Sequence, residues 1–416
     1  MQMTEPVSQS GLSPKKWLPI CYFTFFSTWG ILIPYWGKWL EGLGYNEQQI
    51  GHMIAISLIA RSLGTIVVPL VLKQSSQLIP GLRLLSIFCC VLIALFFIPM
   101  NWALILLIMI AYNFVMSPCI PLSDSLAAAW QKQSPFEYGK VRLWGSIGFV
   151  FATTIVGTFM DLFDYRVIIV CLFITHLTFL VSTFIKASIN FQPQHNKSSE
   201  THYVKDTEDK TSLDEEHEET KHTFKEIKVL ILTPMVLLIM LSIMLIQGSH
   251  AAYYSFAAIY WGKLGYSDTL IGIFISFSVL VEVLFFAFGH RLVYKWKLRS
   301  LFLCCGLFTV ARWLFMANFS SAPLIFIMQS FHAITYVMGH MAMMRFISQF
   351  SNQQIIYLQA AYATMASGIG LAIFSSISGT LLKSMGADTF YVMAFVAFIS
   401  LILIPRQLQF SKQQTI

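Results

Sequence analysis

Apolar stretches of about 20 residues recur along this chain, each long enough to cross a hydrocarbon core of about 30 Å as a helix. Twelve can be delimited, at 17–39, 50–73, 82–98, 102–130, 141–161, 165–186, 229–261, 268–290, 299–317, 322–350, 355–382 and 388–405. Lipid offers no water to satisfy backbone amides, so runs of this length predict an all-α membrane protein. The fourth and tenth are long enough to tilt or to extend past the bilayer. Only 11% of residues are charged and 56% are hydrophobic, far from the roughly 25% charged content of a soluble domain. Residues 1–16 are polar and the first run is too long for a signal-peptide core, so no cleavable signal is expected.

Basic residues set the orientation. With an even number of spans and both termini cytoplasmic, only Lys38, Arg166, Lys263 and Lys383 of the 27 Lys and Arg fall outside, and Arg61, Arg142 and Arg312 fall within the membrane. The net charge of +7 therefore calls for no nucleic-acid partner. The seven cysteines lie in apolar runs without metal-ligand spacing and read as small buried hydrophobes; no metal site is expected.

Residues 187–228 interrupt the pattern with ten acids and six lysines and no apolar period, which predicts a solvated acidic tether. Its histidines, His195, His202, His217 and His222, are scattered among acids and read as solvated. The tether divides the chain into an N-terminal bundle of six helices (1–186) and a C-terminal one (229–416). An internal echo supports a repeat. Tyr35-Trp36-Gly37-Lys38 returns as Tyr260-Trp261-Gly262-Lys263, each followed by Leu-Gly-Tyr (43–45, 264–266) and Ile-Gly (50–51, 271–272), with four extra residues in the first copy. Parallel repeats of this kind relate the two pseudo-symmetric halves of major facilitator transporters, which hold substrate between them near mid-membrane.

Asp124 and Glu282 are the carboxylates that fall inside the long apolar runs, with Arg61, Arg142 and Arg312. A charge at the bilayer centre costs about 2.5–3.5 kcal/mol on insertion scales, so such groups face protein or a wet cavity and mark function. Arg61 and Glu282 each lie ten residues past the repeated Ile-Gly, at equivalent depths with opposite sign. They read either as a gate or charge pair on the pseudo-two-fold axis or as two charges each satisfied in its own half. Pro118 and Pro121 free carbonyls just before Asp124, and a short turn brings Arg142 back beside it. That pair can serve substrate or gating, or simply fix helix packing. Glu282, among Val279, Leu280, Val281, Val283 and Leu284, suits a proton carrier or a buried partner of Arg61 or Arg312. His332 and His250 can relay protons. His340 is a weaker candidate, and His176 and His290 read as lipid-edge or interface residues.

An acid followed eighteen residues later by Arg, within Tyr138-Gly139-Lys140-Val141-Arg142-Leu143-Trp144-Gly145-Ser146, resembles the lactose permease group and its nucleoside-permease relatives. Arg312, His332 and Phe346-Ile347-Ser348-Gln349-Phe350 extend that likeness. The segment from Asp124 through Trp130-Gln131-Lys132-Gln133 to Asp164-Tyr165-Arg166, with Gln247-Gly248-Ser249-His250-Ala251-Ala252-Tyr253-Tyr254, is most similar to the phenylpropionate permease family of the major facilitator superfamily. The likeness covers both halves, the long acidic tether being the main departure. Against lactose permease, Thr335 stands where a proton-carrying glutamate is kept and Gln247 where an aspartate is kept, so proton coupling does not transfer intact. The cytoplasmic signature between the second and third helices is degraded too: residues 74–83 keep Arg83 but no aspartate.

The resemblance implies a proton-coupled secondary transporter, multi-pass in the bacterial inner membrane, that imports a small aromatic carboxylate such as 3-phenylpropionate by alternating access. The candidate substrate-binding set is Asp124, Arg142, Trp144, His250, Tyr253 and Arg312; the proton-coupling set, read from the buried residues themselves, is Glu282, His332 and Asp124. Arg142 is the first choice to clamp a carboxylate, because a planar guanidinium matches it in bidentate fashion; Arg312 is the second. One proton with one monoanion is electroneutral, driven by pH rather than voltage. The alternative is a sugar or nucleoside symporter using hydroxyl contacts to Asp124 and stacking on Trp144; export by the same architecture stays open. No Gly-x-Ser-x-Gly, His-Glu-x-x-His or P-loop occurs, so neither an intramembrane enzyme nor an ATP-driven pump is expected, and no cofactor is implied. A monomer in a lipid bilayer is the expectation.

Overall fold

A computed structural model describes residues 11–72, 74–188 and 229–408, so the tether from 189 onward and its four histidines lie outside the described residues. Among the described residues the chain is helical, apart from an isolated bridge between Leu12 and Ala187. The spans are α1 (Pro14–Gly42), α2 (Glu47–Val71), α3 (Ser75–Leu95), α4 (Trp102–Gln131), α5 (Tyr138–Phe163), α6 (Val167–Phe184), α7 (Pro234–Lys263), α8 (Asp268–Gly289), α9 (Leu298–Asn318), α10 (Ala322–Ile347), α11 (352–385) and α12 (Thr389–Leu403). The last two form one long apolar stretch, 353–403, that turns back at Gly386–Asp388. At about 1.5 Å per residue that stretch is far too long for a single crossing, which makes twelve spans among the described residues. Exposed Leu, Ile and Phe side chains such as Ile59, Leu63, Phe163 and Phe395 cover the outward faces, where lipid is the solvent.

The repeat seen in the sequence is a repeat of structure. Each copy ends a helix, passes through a glycine at positive φ (Gly44 +91°, Gly265 +89°) and starts the next helix on a side-chain cap. Asn46 accepts from the Gln49 amide and Ser267 from the Leu270 amide, each satisfying one of the unpaired amides of a helix start. Glu47 and Asp268 follow as first residues of α2 and α8, where the helix dipole favours an acid. The four extra residues of the first copy appear as one additional turn at the end of α1, about 6 Å of helix.

That turn matters because the two halves meet here. Lys38 of α1 pairs with Asp268 of α8, and Lys263 of α7 pairs with Glu47 of α2, so each half's lysine crosses to the other half's acid. Close backbone contact holds the crossing. A Cβ on Gly157 would lie 2.4 Å from the Asp268 carbonyl oxygen, and one on Gly379 would lie 2.3 Å from that of Glu47. In lipid such small-residue approach, rather than a hydrophobic drive, brings helices together. One turn on, Asp161 accepts from the Asp268 and Thr269 amides at 2.8 Å each, while Lys383 donates to Gln48 at 3.2 Å. The contacts α5–α8, α2–α11 and α1–α7 seal this end.

The extra turn sets Lys38 deeper than Lys263, and the exposures follow: 16% and 17% for the Lys38–Asp268 side chains, 56% and 17% for Lys263–Glu47. A solvated pair contributes little and a shielded one more. Lys38→Ala is therefore expected to open this end roughly tenfold more than Lys263→Ala, which corresponds to about 1.4 kcal/mol. The measurement is maleimide labelling of Ser276→Cys, which sits in the seal beside Thr154, in a background free of other cysteines. Equal labelling in the two variants would contradict the asymmetry.

Candidate functional site

The halves are sealed at one end, and the inward side chains below the seal remain reachable. Asp124 and Arg142 keep 37% and 30% of their side-chain surface, so both remain accessible. Their approach follows from a break in α4, whose helix stops at Met116 and resumes at Cys119 around Pro118. Two tyrosine hydroxyls donate to the same oxygen of Asp124, Tyr22 at 2.6 Å and Tyr138 at 2.8 Å. Arg142 comes no nearer than 3.9 Å, through Nε, and lies over the Phe26 ring at 3.9 Å and the Tyr22 ring at 5.1 Å. Its Nη atoms make no hydrogen bond among the described residues, so the forked edge of the guanidinium is unspent.

The C-terminal half holds a denser polar cluster. Arg312 is fully buried and donates from Nη1 to His332 Nδ1 at 2.5 Å and from Nη2 to Gln329 Oε1 at 2.9 Å. A guanidinium can only donate, so Nδ1 of His332 must accept and its proton must sit on Nε2. That Nε2 faces Glu282 Oε1 at 2.8 Å, so the neutral imidazole donates to the carboxylate. Arg312, His332 and Glu282 thus form one chain across α9, α10 and α8. Gln329 completes the frame by donating to the Tyr253 hydroxyl at 2.9 Å and the Phe274 carbonyl at 2.8 Å. The Tyr253 ring lies 4.4 Å from the Arg312 guanidinium carbon. His250, at the break in α7, donates from Nδ1 to the Ile246 carbonyl at 2.8 Å and accepts at Nε2 from the Thr335 hydroxyl at 3.0 Å. Two of the cluster-bearing helices, α8 and α10, widen beside the cluster, with π-helical turns at Phe285–Gly289 after Glu282 and Ala333–Met338 after His332. Such turns often mark functional positions. Tyr336, in the second of these turns, stacks on His332 with ring centres 5.6 Å apart.

Not every expected residue joins them. Arg61 and Glu282 do not pair: Glu282 is held by His332, and Arg61 donates to Asn113 Oδ1 at 3.2 and 2.9 Å, so each is hydrogen-bonded within its own half. Trp144 is two residues from Arg142 on one helix and so about 200° away. It is 46% exposed, edge-on to Phe23, and lies with Ile147 and Phe151 on the outward face. Arg312 anchors the imidazole here with Nη1 and holds Gln329 with Nη2, leaving only its buried Nε without a partner among the described residues. His340 stands apart, 3.4 Å from the Tyr362 hydroxyl. His176 is buried against Tyr112 rather than at an edge, because α6 turns it inward onto α4. The side chain of His290 is outside the description.

Tyr22, Tyr138, Gln329, Tyr336 and Asn113 are direct neighbours of these charged groups that sequence reasoning missed. Gln329 lies one turn before His332, and Asn113 lies three turns before Asp124 on the same face; polar residues at those spacings in apolar runs were the available signal. Away from its two ends, the core described here contains three guanidinium groups, Arg61, Arg142 and Arg312, against two carboxylates, Asp124 and Glu282.

Comparison with known proteins gives a consistent setting. The family model described as MFS_1 like family matches residues 16–393. The chain is 34% identical, over 95% of its length and 98% of the relative's, to the Probable 3-phenylpropionic acid transporter of Escherichia coli (strain K12). It is 23% identical to the Maltose permease of Geobacillus stearothermophilus over 75% of this chain and 73% of that one. Among solved structures, nucleoside transporter NupG superposes with a TM-score of 0.76 at 14% identity, covering 95% of this chain and 100% of that one. A D-xylose-proton symporter superposes with a TM-score of 0.62 at 13% identity, covering 94% and 96%. At these identities the structural likenesses establish the fold alone.

Proposed function

The chain belongs to the MFS_1 like family, a membrane transporter and not an enzyme, and from that membership we propose that it imports a small aromatic carboxylate together with a proton by alternating access. The observation that carries this reading is Arg142, an accessible guanidinium with both Nη atoms unspent and its Asp124 neighbour already held by two tyrosines. A carboxylate docking there would be gripped in bidentate fashion with Phe26 and Tyr22 beside it. The excess of one cation in the core favours an anion over a neutral sugar or nucleoside, since an unmatched charge in low dielectric is costly. The name of the 34% identical relative points to 3-phenylpropionate as the first cargo to test.

Glu282 is the proton site of this reading, with His332 as its partner and His250 and Thr335 behind. The basic residues assign the open end to the cytoplasm, so the described state faces inward, with both termini cytoplasmic in a bacterial inner membrane. The halves 1–186 and 229–416 then rock as units around the site, joined by the tether at 187–228, in a monomer.

The test is uptake of labelled 3-phenylpropionate into proteoliposomes, challenged with unlabelled 3-phenylpropionate, its amide, maltose and a nucleoside. Competition by the acid alone is expected. Uptake of maltose or the nucleoside that ignores carboxylates would replace this reading with a sugar or nucleoside carrier.

A further inference from the structure

Arg61 is the one core cation with no carboxylate near it. Glu282, its equivalent in the repeat, is committed to His332, and no acid pairs with Arg61 among the described residues. Its position follows from the phase of α2, in which successive residues are 100° apart. Gly51, Ala55, Leu58 and Ser62 face α11 of the other half, where Ser375, Ala372 and Gly368 meet them. Gly64 lies against the Phe114 backbone of α4, and Ile59, Leu63 and Ile66 face outward. Arg61 falls between the α11 stripe and the α4 stripe, with Ile54 and Thr65, on the side that looks into the space between the halves.

Its guanidinium is held in place without being neutralised. Nε and Nη2 both donate to Asn113 Oδ1, and Asn113 is itself oriented by donating from Nδ2 to the Met109 carbonyl at 2.9 Å. A neutral amide fixes the fork but leaves the charge, and Nη1 makes no hydrogen bond. The Trp29 ring of α1 lies 4.7 Å from the guanidinium carbon. The same indole has a buried N–H with no hydrogen-bond partner. A buried donor left unpaired costs about 1–3 kcal/mol, so its presence beside an unmatched cation asks for an acceptor that is itself negative.

We propose that Arg61 and the indole N–H of Trp29 form a second anion-binding site in the N-terminal half, one that receives the carboxylate of the cargo in addition to Arg142. This rests on the carboxylate reading above. Arg142 stands about 6 Å along α5 from its open end, and Arg61 about 21 Å along α2 from the sealed end. A carboxylate can therefore be passed between two cations rather than held by one, with Asn113 keeping the inner one from swinging into lipid.

The experiment is ligand-dependent thermal stabilisation of the purified full-length chain in detergent, with acetate, 3-phenylpropionate and the neutral 3-phenylpropanamide as probes, beside proteoliposome uptake. Both carboxylates are expected to stabilise the protein and the amide is not. Arg61→Gln is expected to weaken both carboxylates at least about tenfold, as the loss of a charge-assisted hydrogen bond predicts. Arg61→Lys should recover part of that loss. Trp29→Phe, which keeps a ring under Arg61 but removes the N–H, should cost about threefold. Carboxylate affinities within twofold of wild type in Arg61→Gln would overturn the site. If that variant does not fold, unchanged affinity in both Arg61→Lys and Trp29→Phe overturns it equally. Acetate binding that depends on Arg61, without binding or uptake of 3-phenylpropionate, would uphold the anion site and remove the aryl cargo. Uptake of 3-phenylpropionate that is indifferent to Arg61 would do the reverse.

Discussion

Arg142→Lys is expected to lower 3-phenylpropionate uptake by roughly ten- to hundredfold at limiting substrate, although it preserves the charge. The guanidinium carbon lies 3.9 Å from the Phe26 ring centre and neither Nη atom makes a hydrogen bond among the described residues, while Nε stands 3.9 Å from Asp124. A lysine ammonium is a point donor on a flexible stem and cannot present two parallel N–H groups or lie on the ring in the same way. The loss of one charge-assisted hydrogen bond, about 1.5–3 kcal/mol, gives that range. Arg142→Gln should be worse, because the attraction disappears along with the fork. Initial-rate kinetics separate the outcomes: the defect should fall on KM for the acid. A Lys variant with wild-type KM would remove Arg142 as the carboxylate clamp and leave it a packing residue.

Glu282→Gln should separate transport from accumulation. The glutamine Oε1 can still accept from His332 Nε2–H, so the chain from Arg312 through His332 keeps its geometry and the fold has no new buried unpaired donor on the imidazole. The side chain can no longer take or release a proton. Exchange of internal for external substrate should continue near the wild-type rate, while gradient-driven accumulation falls to the equilibrium level. The measurement is counterflow and net uptake on the same vesicles. An Asn or Gln variant that still concentrates substrate would place the proton elsewhere, with Asp124 the remaining core carboxylate.

The twelve spans and the two-fold plan were legible because bilayer thickness fixes run length and the echo at 35–51 and 260–272 marks equivalent helix junctions. The four-residue insertion was visible too, but its consequence, a deeper Lys38 in a crossed pair with Asp268, required knowing that the halves meet there. Asp124 and Arg142 are neighbours because a short turn joins α4 and α5. Tyr22 was not legible as the closer partner, since a hydroxyl in an aromatic-rich helix has no periodic signature. Arg61 and Glu282 share a depth, yet equal depth says nothing about azimuth, and each faces a polar residue of its own half. For Trp144 the phase was available in the sequence: two residues from Arg142 on a helix cannot share its face. The π-helical turns after Glu282 and His332 leave no trace in apolar spacing, because they shift register by a single residue.

Accumulation of labelled 3-phenylpropionate in proteoliposomes, with a pH gradient and a membrane potential imposed separately, tests the central claim most directly. If the core takes one proton with one carboxylate, the inward proton gradient alone drives accumulation and a potential of the same size drives none. Accumulation that follows the potential, or none under either force in protein shown to be folded, contradicts the account.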